Sequence, residues 1–202
     1  MTDPAAPRST IPKHRLEALS DGIYAIALTL LVLELRLPAE LPSEGDAELG
    51  NALLHLLPKL FAWVLSFWVI ALFWLAQQRL YRLCAHLDGA LVGLELSQLA
   101  LISLFPFSNA LLGEHGGRVL TSGIYAAHLL ALALLSWRRT SHFLRHPELQ
   151  AAEMTPALVR TLRVRSRLLA ACTFATFALA FVVPGWNTLA MVPTALMSRL
   201  SR

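Results

Sequence analysis

Charged residues are scarce in this chain. Asp, Glu, Lys and Arg make up 15% of its 202 residues, against about 25% in an average soluble domain. With 56% hydrophobic residues and a mean hydropathy of +0.57, the chain has too little charge to clothe a soluble surface, which points to an integral membrane protein. Cysteine is almost missing. Cys84 and Cys172 are the only two, they have no metal-ligand spacing, and they read as small packing residues rather than a disulfide or zinc site. Also lacking are a Gly-rich phosphate loop, a Gly-x-Ser-x-Gly elbow and a His-Glu-x-x-His pair, the local sequences that carry nucleotide, hydrolase and metalloprotease chemistry. No catalytic set emerges, so an enzyme is not expected, and neither is a cofactor. His142 and His146 are four apart and share a helical face, as metal ligands would. No third ligand lies near them, and a solvated surface pair is expected instead. The pI near 9.6 raises nucleic acid as a partner. The basic residues, however, fall in clusters between apolar runs, which is how membrane topology distributes them.

What the sequence has in quantity is long apolar segments. Residues 1–14 carry Pro4, Pro7 and Pro12 without periodicity and read as a mobile tail. Residues 15–202 read as one all-α membrane domain of six spans. The spacing predicts helices over about 16–37, 53–78, 88–112, 119–137, 166–183 and 187–199, the last short for a span. The first of these is followed by Leu35-Arg36-Leu37-Pro38, with no small-x-small cleavage site, so it is expected to stay as an anchor. Pro38 closes it, and residues 38–52 form an acidic loop with Glu40, Glu44, Asp46 and Glu48. Pro106 interrupts the third helix and would free backbone carbonyls that neighbours must satisfy. Residues 138–167 form the most basic stretch, a link that Pro147 and Pro156 break into short helical pieces, and Pro184-Gly185-Trp186-Asn187 forms a turn. Trp63, Trp68 and Trp74 in the second helix are expected to pack or to anchor at the interface rather than to cage a ligand.

Six spans put both termini on one side. With them go Arg8, Lys13, Arg15, Arg79, Arg82, the seven arginines from Arg138 to Arg167, Arg199 and Arg202, which is 14 of the 17 Lys and Arg. Only Arg36, Lys59 and Arg118 fall on the other side, together with the acidic loop. Basic residues stay on the cytoplasmic side, so both termini are expected there.

The first apolar segment starts polar, at Arg15, Leu19, Ser20 and Asp21, and then runs apolar from Ile23 to Leu33 except for Tyr24 and Thr29. From Leu19 to Leu37 it is about 28 Å of helix at ~1.5 Å per residue, close to one hydrocarbon core. Ser20 and Asp21 therefore sit near the membrane edge, where a carboxylate must face protein or water. They could equally cap the start of the helix. Gly22, Ile26, Thr29, Leu30, Leu33 and Leu37 fall along one helical face. By pattern alone this stripe reads as a packing or lipid-facing surface.

Arg15-x-x-x-Leu19-Ser20-Asp21, followed by Gly22-Ile23-Tyr24-Ala25-Ile26-Ala27-Leu28-Thr29-Leu30-Leu31-Val32-Leu33, resembles the first-helix signature of the TMEM175 potassium-channel family in its single-repeat prokaryotic form. The resemblance extends to Phe105-Pro106-Phe107-Ser108-Asn109-Ala110-Leu111-Leu112-Gly113-Glu114 and to Trp74-x-x-Gln77. The family pattern has Phe where this chain has Leu19, His at Gln77 and Asn at Glu95. What the resemblance implies is a homotetramer in the plasma membrane, with the first helix of each subunit lining a pore for potassium ions. Ile26, Thr29, Leu30 and Leu33 match its apolar constriction and threonine layer. The implied function is a cation channel with modest selectivity for potassium over sodium, although the chain has no Thr-Val-Gly-Tyr-Gly filter. Ser20 and Asp21 would anchor the first helix to polar groups on helices two and three, with Trp74, Gln77, Glu95 and Gln98 as candidate partners. Glu95 would raise a nearby carboxyl's pKa or recruit Arg15. The rival expectations are a proton-coupled transporter using Asp21 and Glu95, and a membrane scaffold without transport.

Overall fold

A computed structural model describes residues 11–36, 45–115 and 117–184 of the chain. Five helices make up the described part: α1 (Lys13–Leu30), α2 (Asp46–Leu83), α3 (Gly89–Glu114), α4 (Val119–Arg145) and α5 (Pro156–Leu179). A 3₁₀ turn, Leu31–Glu34, continues α1. Four of the five, α1 with its 3₁₀ turn and α2 to α4, are long and apolar enough to cross a membrane. The expected sixth helix at 187–199, residues 1–10 of the expected tail, Leu37 and residues 38–44 of the acidic loop lie outside the described residues.

Several boundaries differ from the sequence expectation. The first helix begins at Lys13, seven residues before Ser20. That puts Ser20 and Asp21 inside the helix and removes the reading in which they cap its start. Asp46 and Glu48, expected in the acidic loop, form the first turn of α2. Acidic side chains suit a helix N-terminus, where they face the positive end of the macrodipole. The stretch 138–167 is helical on both sides of the two prolines, but its pieces are continuous with the long helices: α4 runs on through Arg138 and Arg139 to Arg145, a 3₁₀ turn covers Pro147–Leu149, and α5 starts at Pro156. Pro156 suits the first position of a helix, where its missing N–H costs nothing, and the Thr155 hydroxyl caps the same end by accepting from Leu158 N–H at 3.3 Å.

Helix α4 packs against both α3 and α5, while α1 lies mainly on α3 and α2. Buried apolar side chains form two clusters. One centres on Tyr24, Ala27, Phe73, Ile102, Phe105 and Leu129. The other gathers Leu16, Leu80, Tyr81, Leu91, Phe143 and Leu149 where α1 begins, α2 ends and α3 begins. The links at that end are closely tied. Ala85 N–H donates to Leu149 O and Ala151 N–H to Leu83 O, each at 2.8 Å, which clasps the α2–α3 link to the α4–α5 link. Lys13 Nζ donates to Cys84 O at 2.8 Å, tying in the start of α1.

Asp88 caps α3 by accepting from Leu91 N–H at 2.7 Å, and its other oxygen lies 2.7 Å from His142 Nε2 on α4. His142 and His146 do share a face, with ring centroids 4.3 Å apart, but each is engaged with an acid, Asp88 and Glu148. Among the described residues no group of His, Cys, Asp and Glu could hold a metal ion. Both cysteines are free. Cys84 is buried, which pushes its thiol up to about 11, as a packing residue requires.

Pro106 lies inside α3 without ending it. Beside the carbonyl that its missing N–H releases, at Ile102, the ring of His128 on α4 donates from Nε2 to Leu101 O at 2.9 Å.

Candidate functional site

Helix α1 has two different faces. Leu16, Ser20, Tyr24 and Ala27, followed by Leu31, are buried against the bundle. On the opposite side Gly22, Ala25, Ile26, Thr29, Leu30 and Leu33 are exposed. Ile26 is 61%, Leu33 52% and Leu30 40% exposed, values that place these large side chains clear of their own subunit. Leu28, in contrast, packs against the core. The Thr29 hydroxyl donates to Ile26 O at 2.9 Å. Its proton is thereby used within the helix, and the oxygen lone pairs remain on the exposed face.

The buried face is held by polar side chains that separate the two apolar clusters. Ser20 Oγ donates to Glu95 Oε1 at 3.2 Å, accepts from Gln77 Nε2 and lies 3.4 Å from the Tyr81 phenol oxygen. The second oxygen of Glu95 accepts from Arg139 Nη1 on α4. Glu95 and Arg139 are each 2% exposed, a fully enclosed ion pair. One turn along α1, the Tyr24 phenol oxygen accepts from Gln98 Nε2 at 3.2 Å. Four helices therefore meet in one polar layer.

Asp21 works on the next stripe of α2. Its Oδ1 accepts from Trp74 Nε1 at 2.8 Å and from Gln78 Nε2 at 2.6 Å. Gln77 and Tyr81 are four apart, as are Trp74 and Gln78, so each pair forms one ridge of α2. Adjacent residues of α1 read adjacent ridges, which fixes the rotation of α1 about its own axis. That rotation decides which side chains α1 presents outward.

Of the expected partners, Trp74 reaches Asp21, and Gln77 and Glu95 reach Ser20. Gln98 bonds Tyr24 instead. Arg15 and Leu19 are exposed, and Glu95 recruits Arg139 rather than Arg15. Arg139 was hidden to sequence reading because it sits beside Arg138 ahead of Pro147, in what looked like a basic loop. Its helical register with the buried Leu132, Ser136 and Phe143 was the available signal. Gln78 and Tyr81 could have been found from their four-residue spacing to Trp74 and Gln77. A second buried group, Ser66 Oγ donating to Asn109 Oδ1 at 2.6 Å and lying 3.0 Å from the Tyr125 phenol oxygen, joins α2, α3 and α4 further along the bundle.

The chain has close relatives. The sequence model of the family described as endosomal/lysosomal potassium channel TMEM175 matches residues 15–106. A potassium channel of Streptomyces collinus is 31% identical over 172 residues, covering 83% of this chain and 82% of that protein. A potassium channel of Chamaesiphon minutus is 33% identical over 171 residues, covering 83% and 84%. Among solved structures, a lysosomal potassium-selective channel TMEM175 homologue from Chamaesiphon minutus superposes with a TM-score of 0.77 at 29% identity, over 93% of this chain and 96% of that one.

Proposed function

The chain belongs to the TMEM175 family of ion channels, and from that premise we propose that it is a potassium-permeable cation channel whose pore is lined by the exposed face of α1. The observation that carries the reading is the division of α1. One face is locked into the bundle by Ser20 and Asp21, and the other leaves Ile26, Thr29, Leu30 and Leu33 exposed. Leucine facing lipid is ordinary in a membrane protein. A threonine among these residues is not. One first helix cannot enclose a pore, so several subunits must converge on an axis, and the family resemblance makes the number four.

In that assembly Ile26, Leu30 and Leu33 form apolar rings one or two turns apart. A ring narrow enough to lose its water blocks ions, because an ion crossing it gives up hydration without replacement. The Thr29 hydroxyl oxygens lie beside the Ile26 ring and offer partial replacement, with a modest preference for potassium over sodium. A small rotation of α1 would rewet the constriction, and the Ser20 and Asp21 bonds set the energy of that rotation. Glu95 is committed to Arg139 and Ser20, and Asp21 to Trp74 and Gln78, which supports a structural role for both carboxylates over a proton relay. The proposed setting is the plasma membrane, with six spans per subunit and cytoplasmic termini.

The deciding experiment is potassium efflux from liposomes containing the purified full-length chain, with its mass in detergent measured alongside. Potassium efflux greater than sodium efflux, from a particle of four chains, is the expected result. A monomeric particle, or saturable flux coupled to protons, would remove this reading.

A further inference from the structure

Most arginines at the basic end of the bundle point outward or are paired with an acid. Arg165 is turned inward. A partly open cavity of about 110 Å³ lies between α2, α4 and α5. Leu72, Leu75, Ala76, Leu162 and Leu169 give it apolar walls, and Arg79, Thr140 and Arg165 polar ones. Its lining has two cations and no carboxylate. The Nη2 of Arg165 is buried and has no hydrogen-bond partner among the described residues, and the buried hydroxyl-bearing residues Ser136 and Ser166 share the cavity walls.

A buried guanidinium N–H without an acceptor is costly, and the group that best relieves it is an anionic oxygen. Phosphate suits arginine in particular, because its oxygens accept from the planar fork two at a time. The cavity is also graded in polarity. From Leu72 to Arg79 is about 10 Å along α2 at ~1.5 Å per residue, with the leucines deeper in the span and the arginine four residues from the helix end at Leu83. Apolar walls within the span and cations at its edge match the long axis of a phospholipid. They do not match a free anion, which would leave the leucine-lined part unfilled.

We propose that this cavity binds an anionic phospholipid, its phosphate on Arg165 and Arg79 and an acyl chain along Leu72, Leu75 and Leu169. The site lies on the side of the bundle formed by α2, α4 and α5. It is independent of the α1 face and does not rest on the channel reading.

The test uses the full-length protein purified in neutral detergent, with thermal unfolding followed during titration of phosphatidylglycerol, phosphatidylcholine of the same chains, or inorganic phosphate. Phosphatidylglycerol is expected to raise the unfolding temperature, with phosphatidylcholine and inorganic phosphate giving much less. Arg165→Gln is expected to weaken phosphatidylglycerol binding about tenfold or more, as loss of a charged hydrogen bond does. Arg165→Lys should recover part of that loss, and Arg160→Gln, an exposed arginine of the same helix, should change nothing. Equal shifts with both lipids would reduce the cavity to an apolar groove and overturn the proposal. An equal shift with inorganic phosphate would replace the lipid by a free anion, and equal effects of Arg160→Gln and Arg165→Gln would replace the site by diffuse surface charge. Should Arg165→Gln fail to fold, Arg79→Gln carries the same expectation. Native mass spectrometry of the wild type then gives the second reading: retained phosphatidylglycerol supports the site, and its absence overturns it.

Discussion

At the residue scale, identity matters through the environment that each side chain meets. Ile26 and Leu28 are two residues apart, both apolar and both in the span, yet Ile26 is exposed and Leu28 packs against the core. If Ile26 forms the narrowest ring, Ile26→Asn should let water persist there and raise basal cation current. Leu28→Asn buries a polar group without a partner, so it should lower stability, by about 1–3 kcal/mol, without opening the pathway. Thr29→Val keeps the shape and removes the oxygen, and should reduce the preference for potassium over sodium. Electrical recordings at matched tetramer yield check all three. Equal currents from the wild type, Ile26→Asn and Leu28→Asn would show that this face does not gate conduction. Arg139 is the opposite case, a charge whose role is entirely internal. Arg139→Met strands the Glu95 carboxylate and should cost about 3–5 kcal/mol, most of it recovered in Glu95→Gln/Arg139→Met, because a buried pair is worth little over a neutral pair while a lone buried charge is expensive. Thermal unfolding of the single and double variants in detergent measures the recovery.

At the element scale, α1 is positioned by two neighbouring residues that bond to two neighbouring ridges of α2. Asp21→Ala removes the acceptor for both Trp74 and Gln78 and should loosen the helix by about 1–2 kcal/mol, the range for interhelical hydrogen bonds in membranes. Asp21→Asn keeps a carbonyl oxygen for the same donors and should retain most of the stability. Flux and unfolding temperature measured together would expose a purely electrostatic role if Asn behaved like Ala. The end of the bundle where α3 begins offers a pH-dependent element. Partial burial pushes the Asp88 carboxyl up, but the Leu91 N–H and His142 outweigh it and hold the group below the usual carboxylate range. A depressed pKa stabilises the fold at all pH above the ordinary carboxylate range, and that stabilisation is lost as pH falls through the lowered value. Asp88→Asn keeps an oxygen for the α3 cap and loses the charge. Its stability should fall short of the wild type at neutral pH and converge with it under acid conditions. A gap unchanged by acid, read from unfolding temperature against pH, would show that the charge plays no part.

At the scale of the whole molecule, alternating helices bring the start of α1, the end of α2, the start of α3, the end of α4 and the start of α5 to one end. The arginines of the basic stretch 138–167, helical in α4 and α5, are gathered there as well. One of them, Arg139, is enclosed and neutralised by Glu95, so it carries no weight in setting the orientation. The others keep the asymmetry strong, which favours the proposed six-span arrangement with cytoplasmic termini. Cysteines introduced at Ser43 and Ser201, in a background without Cys84 and Cys172, should react with impermeant reagent from opposite sides of the membrane. Reaction from the same side would require an odd number of spans and would expose the terminal arginines outside.

Membership of the membrane class, the rough extent of the first four spans, the face of α1 and its likeness to a channel family were all legible in the sequence. Each is a local property: composition, run length, helical period or a contiguous motif. The chain pattern also named most of the polar partners of α1, since polar residues inside apolar runs stand out against hydrocarbon. What the order of residues could not convey was which partner meets which. Arg139 and Arg15 are equally cationic, and both precede or follow an apolar run. Only the packing of α4 on α3 brings Arg139 within reach of Glu95, while Arg15 is left outside. The same holds for the caps and loops. Prolines at 147 and 156 marked breaks between short helical pieces, but not that the pieces continue α4 and α5, nor that Ala85 pairs with Leu149 and Ala151 with Leu83 across the link. Propensity acts over a few residues. The satisfaction of buried charge and backbone groups is a condition on the whole bundle, and it is decided only when the helices are in place.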